Sequence, residues 1–423
     1  MNNYTNLSTS LVATAPSPAT SGTSLVVTAG HGARFPAVPF YATACPEGQL
    51  PTFDNAEIVQ VTAISTDTLT IVRAQKGTSA KSIAIGWRIS ASIYAEDIDN
   101  LRSTNLLING NFDVWQRNTS VTPNDDVYIG ADRWNNVQET DADWTFARDT
   151  DTPDGSRYSL KMTCVTANAG VGIVTFLENA DTMPLDDQYV SLSFYAKTNS
   201  TEIAKLRAGI ISWGSTADVL TSDVVGTWHG SAGTNPTLAT NWTFENTPSD
   251  LALTSSWQRF SIENVLLDTA TINNLGVFIW VDDVNAATND DVYISQVHLN
   301  LGPKATMYVP RPYALELNMC QRYYQIHLDP HMNGVTAGNN SSINRLGMVL
   351  PTTMRTTPTV GFGPIPLYDG STVTTLSSVS VNYHQPGFVE IDGTAAGNFG
   401  AASRPITGYN GSSGTGFSAD AEL

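Results

Sequence analysis

Short runs in which apolar and polar residues alternate, repeatedly broken by turn chemistry, limit what this chain can fold into. Leu25-Val26-Val27, Phe40 to Thr43, Glu57 to Ile64, Thr68 to Arg73, Trp87 to Ile93, Ser159 to Val165, Val171 to Leu177, Val190 to Lys197, Leu206 to Ser212, Gln258 to Val265, Leu275 to Val281 and Val292 to Leu301 all read as strands. Ser65-Thr66-Asp67 is spaced as a hairpin turn between two of them. Helical spacing shows in only two short places. Tyr94, Ile98 and Leu101 share a stripe within Tyr94 to Ser103, and Leu315, Met319, Tyr323 and Ile326 repeat within Pro312 to His327, where Pro312 suits a first helical turn. An isolated helix needs about 12 to 15 residues, so the first stretch must pack on something. The reading is mainly β, with short linking helices.

Composition supports this. Charged residues make up 14% of the chain, against roughly 25% in ordinary soluble proteins, and Thr, Ser, Asn and Gly take their place. The formal net charge of −18, with 21 Lys and Arg spread along 423 residues, excludes the clustered basic surface that nucleic acid requires. Cys45, Cys164 and Cys320 lie far apart with no Cys-x-x-Cys spacing, which suggests buried thiols instead of a zinc site or disulfide framework. No apolar run approaches the roughly 20 residues of a membrane span, and no basic segment followed by an apolar one opens the chain. We expect synthesis in a cytoplasm, no membrane insertion and no export signal of its own.

Asn105 to Arg117 (Asn-Leu-Leu-Ile-Asn-Gly-Asn-Phe-Asp-Val-Trp-Gln-Arg) reads as an opening strand, with Leu106 and Ile108 on one face and a break at Asn109-Gly110-Asn111; Ala-Asp-Arg-Trp follows at Ala131 to Trp134. The combination resembles a module of tailed-bacteriophage tail fibres and minor tail proteins, in which such a strand opens a carbohydrate-binding-like jelly roll. Tyr189 to Lys197, Ser256 to Phe260 and Tyr293 to Leu299 resemble strands of the same jelly roll. Ala56 to Ala80 resembles the N-terminal domain that attaches such proteins to the virion, although the residues alone suit an ordinary β-sandwich. Arg311-Pro-Tyr-Ala-Leu-Glu-Leu-Asn-Met-Cys-Gln-Arg-Tyr-Tyr324 resembles the signature that follows the sandwich, and Met348 to Val360 and Phe417 to Leu423 resemble the family's C-terminal domain. Leu423 after an acidic pair suggests an end that pairs as a strand. The expected organisation is an N-terminal virion-attachment β domain over 1–93, a helical linker over 94–104, a two-sheet jelly roll over 105–310, a linking helix over 311–327 and a C-terminal β domain over 328–423.

The resemblance also implies a structural calcium, held by the acidic residue after the opening Phe and by one carboxylate of an Asp-Asp pair in the closing strand. Asp113 is in place, but Ser295-Gln296 stand where the pair would be. One carboxylate makes a weak site for an ion that wants six to eight oxygens. No cofactor is therefore expected beyond a weak calcium at Asp113, with Asp125-Asp126, Asp186-Asp187, Asp282-Asp283 and Asp290-Asp291 as alternative places. Glycan sites stack an aromatic face on a sugar and ring it with amides and carboxylates. All of the nine tryptophans except Trp87 fall in the central block. Trp115, Trp134, Trp257 and Trp280 belong with strands. Trp213, Trp228 and Trp242 sit in or beside polar stretches between Gly209 and Pro248 and are expected to face solvent, with Asn235, Asn241 and Asp218 near enough to hydrogen-bond a sugar.

No Gly-x-Ser-x-Gly, His-Glu-x-x-His or phosphate loop is present and no repeat marks a β-helix, so the chain is not expected to be an enzyme. The expectation is a structural component of a tailed-phage virion, homotrimeric, attached to other virion proteins through its N-terminal domain and presenting a glycan-binding module to the host surface. A capsid-attached fibre or decoration protein and a polysaccharide-degrading tailspike are the alternatives.

Overall fold

The computed structural model describes residues 3–95, 97–98, 104–124, 127–167, 170–220, 223–229, 234–281, 286–327, 332–336, 343–363, 365–368, 373–395, 405–408 and 417–423. Two compact units, Met1–Arg102 and Ser103–Leu423, divide it. The fold is mainly β, as the alternating runs require. The helix expected over Tyr94 to Ser103 lies largely outside the described residues.

In the first unit, β1 (Thr9–Thr14), β2 (Ser24–Val27), β3 (Phe40–Cys45), β4 (Glu57–Ser65), β5 (Thr68–Gln75) and β6 (Arg88–Ala91) close a barrel in the order β1-β2-β5-β4-β3-β6. Closure distinguishes it from the ordinary sandwich the residues suggest, and it leaves no free sheet edge. Val12, Leu25, Phe40, Val59, Leu69 and Ile89 fill the interior. Glu57 is fully buried where β4 meets β5, and it accepts from Arg73 Nε (2.8 Å) and from the N–H groups of Ala74 (2.7 Å) and Lys81 (2.8 Å).

The second unit begins with a correction. Asn105 to Arg117 is not a strand but an irregular buried segment. Leu107, not Leu106 or Ile108, enters the core. Asparagine side chains cause this by taking backbone groups that a sheet ladder would need. Asn105 Oδ1 accepts from Leu107 N (3.1 Å) and Leu299 N (3.0 Å), while Asn109 Oδ1 accepts from Val114 N (3.0 Å) and its amide donates to Val114 O and Asp132 O.

Two antiparallel sheets follow. β7 (Ser120–Val121), β8 (Asn135–Gln138), β9 (Trp144–Asp149), β10 (Ser159–Cys164), β11 (Val171–Phe176), β12 (Tyr189–Thr198), β13 (Lys205–Trp213), β14 (Val225–Thr227), β15 (Thr237–Leu238), β16 (Trp242–Phe244), β17 (Leu251–Ala252), β18 (Gln258–Leu266), β19 (Asn274–Val281) and β20 (Asp291–Leu301) run in chain order. One sheet is β18-β12-β20-β10-β9-β7 and the other β16-β13-β19-β11-β8, with β14 and β15 a separate hairpin. Their inner faces enclose one core around Trp134, Trp144, Phe146, Phe194, Ile210 and Ile279.

The helix after the sandwich spans Tyr313–Gln321 and stops short of the expected His327, because Tyr324 to His327 form a strand, β21. β22 (Met332–Thr336), β23 (Ile343–Val349), β24 (Thr359–Phe362), β25 (Pro366–Tyr368), β26 (Val373–Gln385), β27 (Phe388–Ala395), β28 (Pro405–Gly408) and β29 (Phe417–Asp420) complete the chain. β29 lies between β21 and β24, and the rest close a second barrel in the order β22-β23-β27-β26-β25-β28. The Arg311 to Tyr324 signature works as a bracket. Arg311 donates to Leu107 O (3.0 Å) and Glu316 (3.1 Å), and Arg322 and the Tyr323 hydroxyl both reach Glu178. Residues after β29 close it from the other side. Glu422 pairs with the buried Arg133, whose guanidinium lies 3.6 Å from the Tyr323 ring centroid, and Arg355 donates to Ala421 O (3.0 Å) and Glu422 O (2.8 Å).

Candidate functional site

The three tryptophans expected to face solvent do not share one fate. Trp213 ends β13 and Trp242 opens β16, and these strands pair with Trp213 opposite Trp242. Trp213 is 1% exposed and Trp242 6%, which corrects the expectation for both. The cause is a second apolar layer on the outer face of the β16-β13-β19-β11-β8 sheet. Ile211, Trp213, Phe278, Trp280, Val174 and Phe176 stand on that face, and Leu220, Val224, Val225, Trp228 and Leu238, from the segment joining β13 to β16, pack over it. Trp242 stacks on Phe176 at 5.2 Å between centroids and Phe278 on Trp280 at 4.6 Å. β11, β13 and β19 are consequently buried on both faces, so a period-two reading cannot tell inside from outside along them. The signal that was there to find is their near-continuous apolar run.

Trp228 alone keeps exposed surface. Its ring rests on Gly170, where an added Cβ would lie 2.7 Å from a ring atom, and its edge meets Phe278 at 6.4 Å. Beside it in the chain, His229 Nε2 and Thr237 Oγ1 lie 2.8 Å apart. The polar residues expected to help are mostly engaged elsewhere. Asn235 accepts from Arg207 Nη1 at 2.5 Å. Asp218 sits in a positive-φ turn and accepts from Asn179 N (2.8 Å) and Asn274 Nδ2 (2.7 Å), so it pins the covering segment to the sheet. Asn241 is exposed at a φ of 72° and its carbonyl accepts from Gly214 N. The structure therefore does not gather the six residues around one cavity.

Asp113 is half-buried. Its Oδ2 accepts from Asn111 Nδ2 at 3.0 Å and its Oδ1 is buried without a partner, and burial pushes its carboxyl above the usual range. Around it the hydrogen bonds are neutral. Ser156 Oγ donates to Asn111 Oδ1 (2.6 Å), Ser295 Oγ to Tyr158 O (3.2 Å), and Gln296 Nε2 to Asp154 O (2.8 Å) and Ser156 Oγ (2.9 Å). The charge of Glu316 adds to that upward push, and among the described residues no group of three or more His, Cys, Asp and Glu is placed to hold a metal ion. Of the other acidic pairs, Asp125-Asp126 and Asp282-Asp283 lie outside the described residues. Asp290 takes Ser200 Oγ and Ala287 N, and Asp291 takes Lys161, Thr163 and Asn199.

No family model matches the chain, and no curated protein matches it. Solved structures similar to it include the enzymatically active domain of tailspike protein 4 of bacteriophage CBA120, at 12% identity and a TM-score of 0.30, covering 50% of this chain and 23% of that one. The CBM22-1 xylan-binding domain of Paenibacillus barcinonensis Xyn10C matches at 11% identity and a TM-score of 0.27, covering 48% and 97%. The arabinose-bound α-L-arabinofuranosidase MgGH51 matches at 13% and 0.27, covering 47% and 26%. This set corrects the expectation that the chain is not an enzyme. It contains catalytic chains as well as a binding module, and the absence of a catalytic motif does not separate the two.

Proposed function

We propose that the chain is a glycan-binding structural component of a tailed-phage virion, a tail fibre or minor tail protein that works as a homotrimer. In this reading residues up to about Ile93 attach to other virion proteins, and the rest faces the host surface after assembly in the host cytoplasm. The motifs from Ala56, Asn105 and Arg311 onward support the virion setting. The observation that carries the glycan half is Trp228, a ring held flat by Gly170 with surface still open beside His229 and Thr237. Weak single-site binding suffices for such a role, because several copies on one particle turn modest affinity into avidity.

The test is particle adsorption by a Trp228→Ala variant. Adsorption should fall while trimer mass is unchanged and the melting temperature drops only modestly, since one side of the Trp228 ring packs on Gly170 and Phe278. Unchanged adsorption with normal stability would remove the glycan half, and a monomer in native mass spectrometry would remove the trimer.

A further inference from the structure

The outer face of the second barrel holds a cleft of about 540 Å³ that nothing above uses. It lies where β22, β23 and β27 run side by side, and Asn333, Arg345, Gly347, Val349, Phe388 and Glu390 line it. Leu346, Val389 and Ile391 are buried in the barrel core, so the alternate positions Arg345, Gly347, Phe388, Glu390 and Asp392 stand outside. Register sets Asn333 and Glu390 on either side of Gly347, with Arg345 across from Asp392. Phe388 leans over Gly347, where a Cβ would come within 2.8 Å of the ring. The ring therefore lies down on the backbone and forms a floor instead of standing up from the sheet.

Around that floor are polar groups with capacity left over. Arg345 binds Asp392 through Nε (2.9 Å) and Nη2 (3.0 Å), so its Nη1 is fixed in direction yet makes no bond among the described residues. Glu390 Oε1 accepts from Asn382, and its Oε2 makes no hydrogen bond among the described residues. The exposed amide of Asn333 makes no hydrogen bond among the described residues. A donor, an acceptor and a group that is both thus surround one aromatic face. Adjacent hydroxyls of a pyranose match that set while its C–H face covers the ring. One guanidinium faces two carboxylates, so the local charge is negative and an anionic ligand is disfavoured. The volume falls in the usual range for small-ligand sites, about 300 to 1,000 Å³.

We propose that this cleft is a binding site for a neutral saccharide, with Phe388 as stacking platform and Arg345, Glu390 and Asn333 as hydroxyl partners. It extends the glycan reading to the second barrel and rests on that reading for ligand class alone, since it shares no residue with the Trp228 surface.

The test is saturation-transfer NMR and calorimetry on the full chain, using cellohexaose, xylohexaose, mannohexaose and maltohexaose, with an oligogalacturonate as the acidic comparison. At least one neutral oligosaccharide should bind, and Phe388→Ala should weaken it by about tenfold or more. Asn333→Ala, which removes an exposed amide and no packing, should weaken it severalfold, and Trp228→Ala should leave this binding in place. The proposal is overturned if no neutral oligosaccharide binds, if the acidic one binds better, or if affinity survives both Phe388→Ala and Asn333→Ala. Loss with Trp228→Ala alone would keep the function proposed above and discard this cleft.

Discussion

The sandwich and the second barrel treat aromatic side chains in opposite ways. On the outer face of the β16-β13-β19-β11-β8 sheet, Trp213, Trp242, Phe176, Phe278 and Trp280 are each 7% exposed or less, under a cover made from the chain's own β13 to β16 connection. On the barrel a single half-buried phenylalanine lies uncovered among unspent polar groups. The number of aromatics thus says little about where a ligand could sit. What matters is whether the chain has already filled the face. Covered rings contribute to folding, because burying such large apolar surfaces is the main stabilising term.

The sharpest way to break this comparison is to truncate both kinds of ring. Trp213→Ala or Trp242→Ala should cost about 3–5 kcal/mol, the usual loss for a large aromatic removed from a packed core. Phe388→Ala should cost far less, since its ring is only half-buried where it lies on Gly347. Denaturant midpoints of the three variants measure the difference. Equal, large losses would mean that the barrel cleft is core, and equal, small losses would mean that the sandwich face is not truly filled.

Much of the fold was legible. Alternation located most strands. The errors share one physical source. Asn105 to Arg117 alternates like a strand, yet the side chains of Asn105 and Asn109 tie up backbone groups within it and on the distant Leu299. Trp213 and Trp242 sit near polar, turn-rich sequence, yet a distant segment folds over them. Tyr324 to His327 continues a helical repeat, yet Phe417 to Asp420 pairs with it from far along the chain. Each depends on a partner that local periodicity cannot see. Nothing in the local sequence singles out Phe388 and Arg345, the residues of the proposed cleft, because they lie on an ordinary-looking strand pair, and only the folded chain places the Phe388 ring over Gly347.

A second test concerns what holds the covered face in place. Leu423 packs against the same aromatic layer while Glu422 neutralises Arg133, which is 2% exposed. Among the described residues, Glu422→Ala leaves a buried guanidinium with the Tyr323 ring and Phe176 O as partners. The expected loss is about 3 kcal/mol, read as a lower denaturant midpoint. A loss near zero would mean that solvent reaches Arg133.

The sheet on the other side of the sandwich offers a polar version of a filled face. Ser191, Ser193, Ser295, His298 and Asn300 are all buried there. Asn300 holds Lys304 O, and Arg259 donates to Thr306 O. Burial, helped by the nearby positive charges of Arg259 and Arg311, pulls the His298 imidazole down to about 4. The unfolded chain takes up this proton near pH 6.5 while the folded one does so only near 4, so stability falls as pH drops through that window. The loss should be about 3 kcal/mol. It should flatten in His298→Gln, and an unchanged slope in that variant would assign the pH dependence to other groups.

The smallest expected effect is at Asp113, where the chain again fills a place that a ligand could have taken. A calcium present at a hundred times its dissociation constant would stabilise the folded unit by about 2.7 kcal/mol, a shift of several degrees in melting temperature. Here Ser156, Ser295 and Gln296 supply neutral hydrogen bonds, and among the described residues no group of three or more His, Cys, Asp and Glu is placed to hold an ion. Chelator should therefore move the melting temperature by less than about 1 °C, because one carboxylate gives a hard cation too few oxygens. Ser295→Asp sharpens the point by placing a second carboxylate on the Asn111 side of the network, 3.4 Å from which the serine hydroxyl now stands. That variant should gain stability with added calcium and lose it with chelator. A wild-type chain that already responds to chelator would show that this face, unlike the tryptophan face, is held by an ion and not by the chain itself.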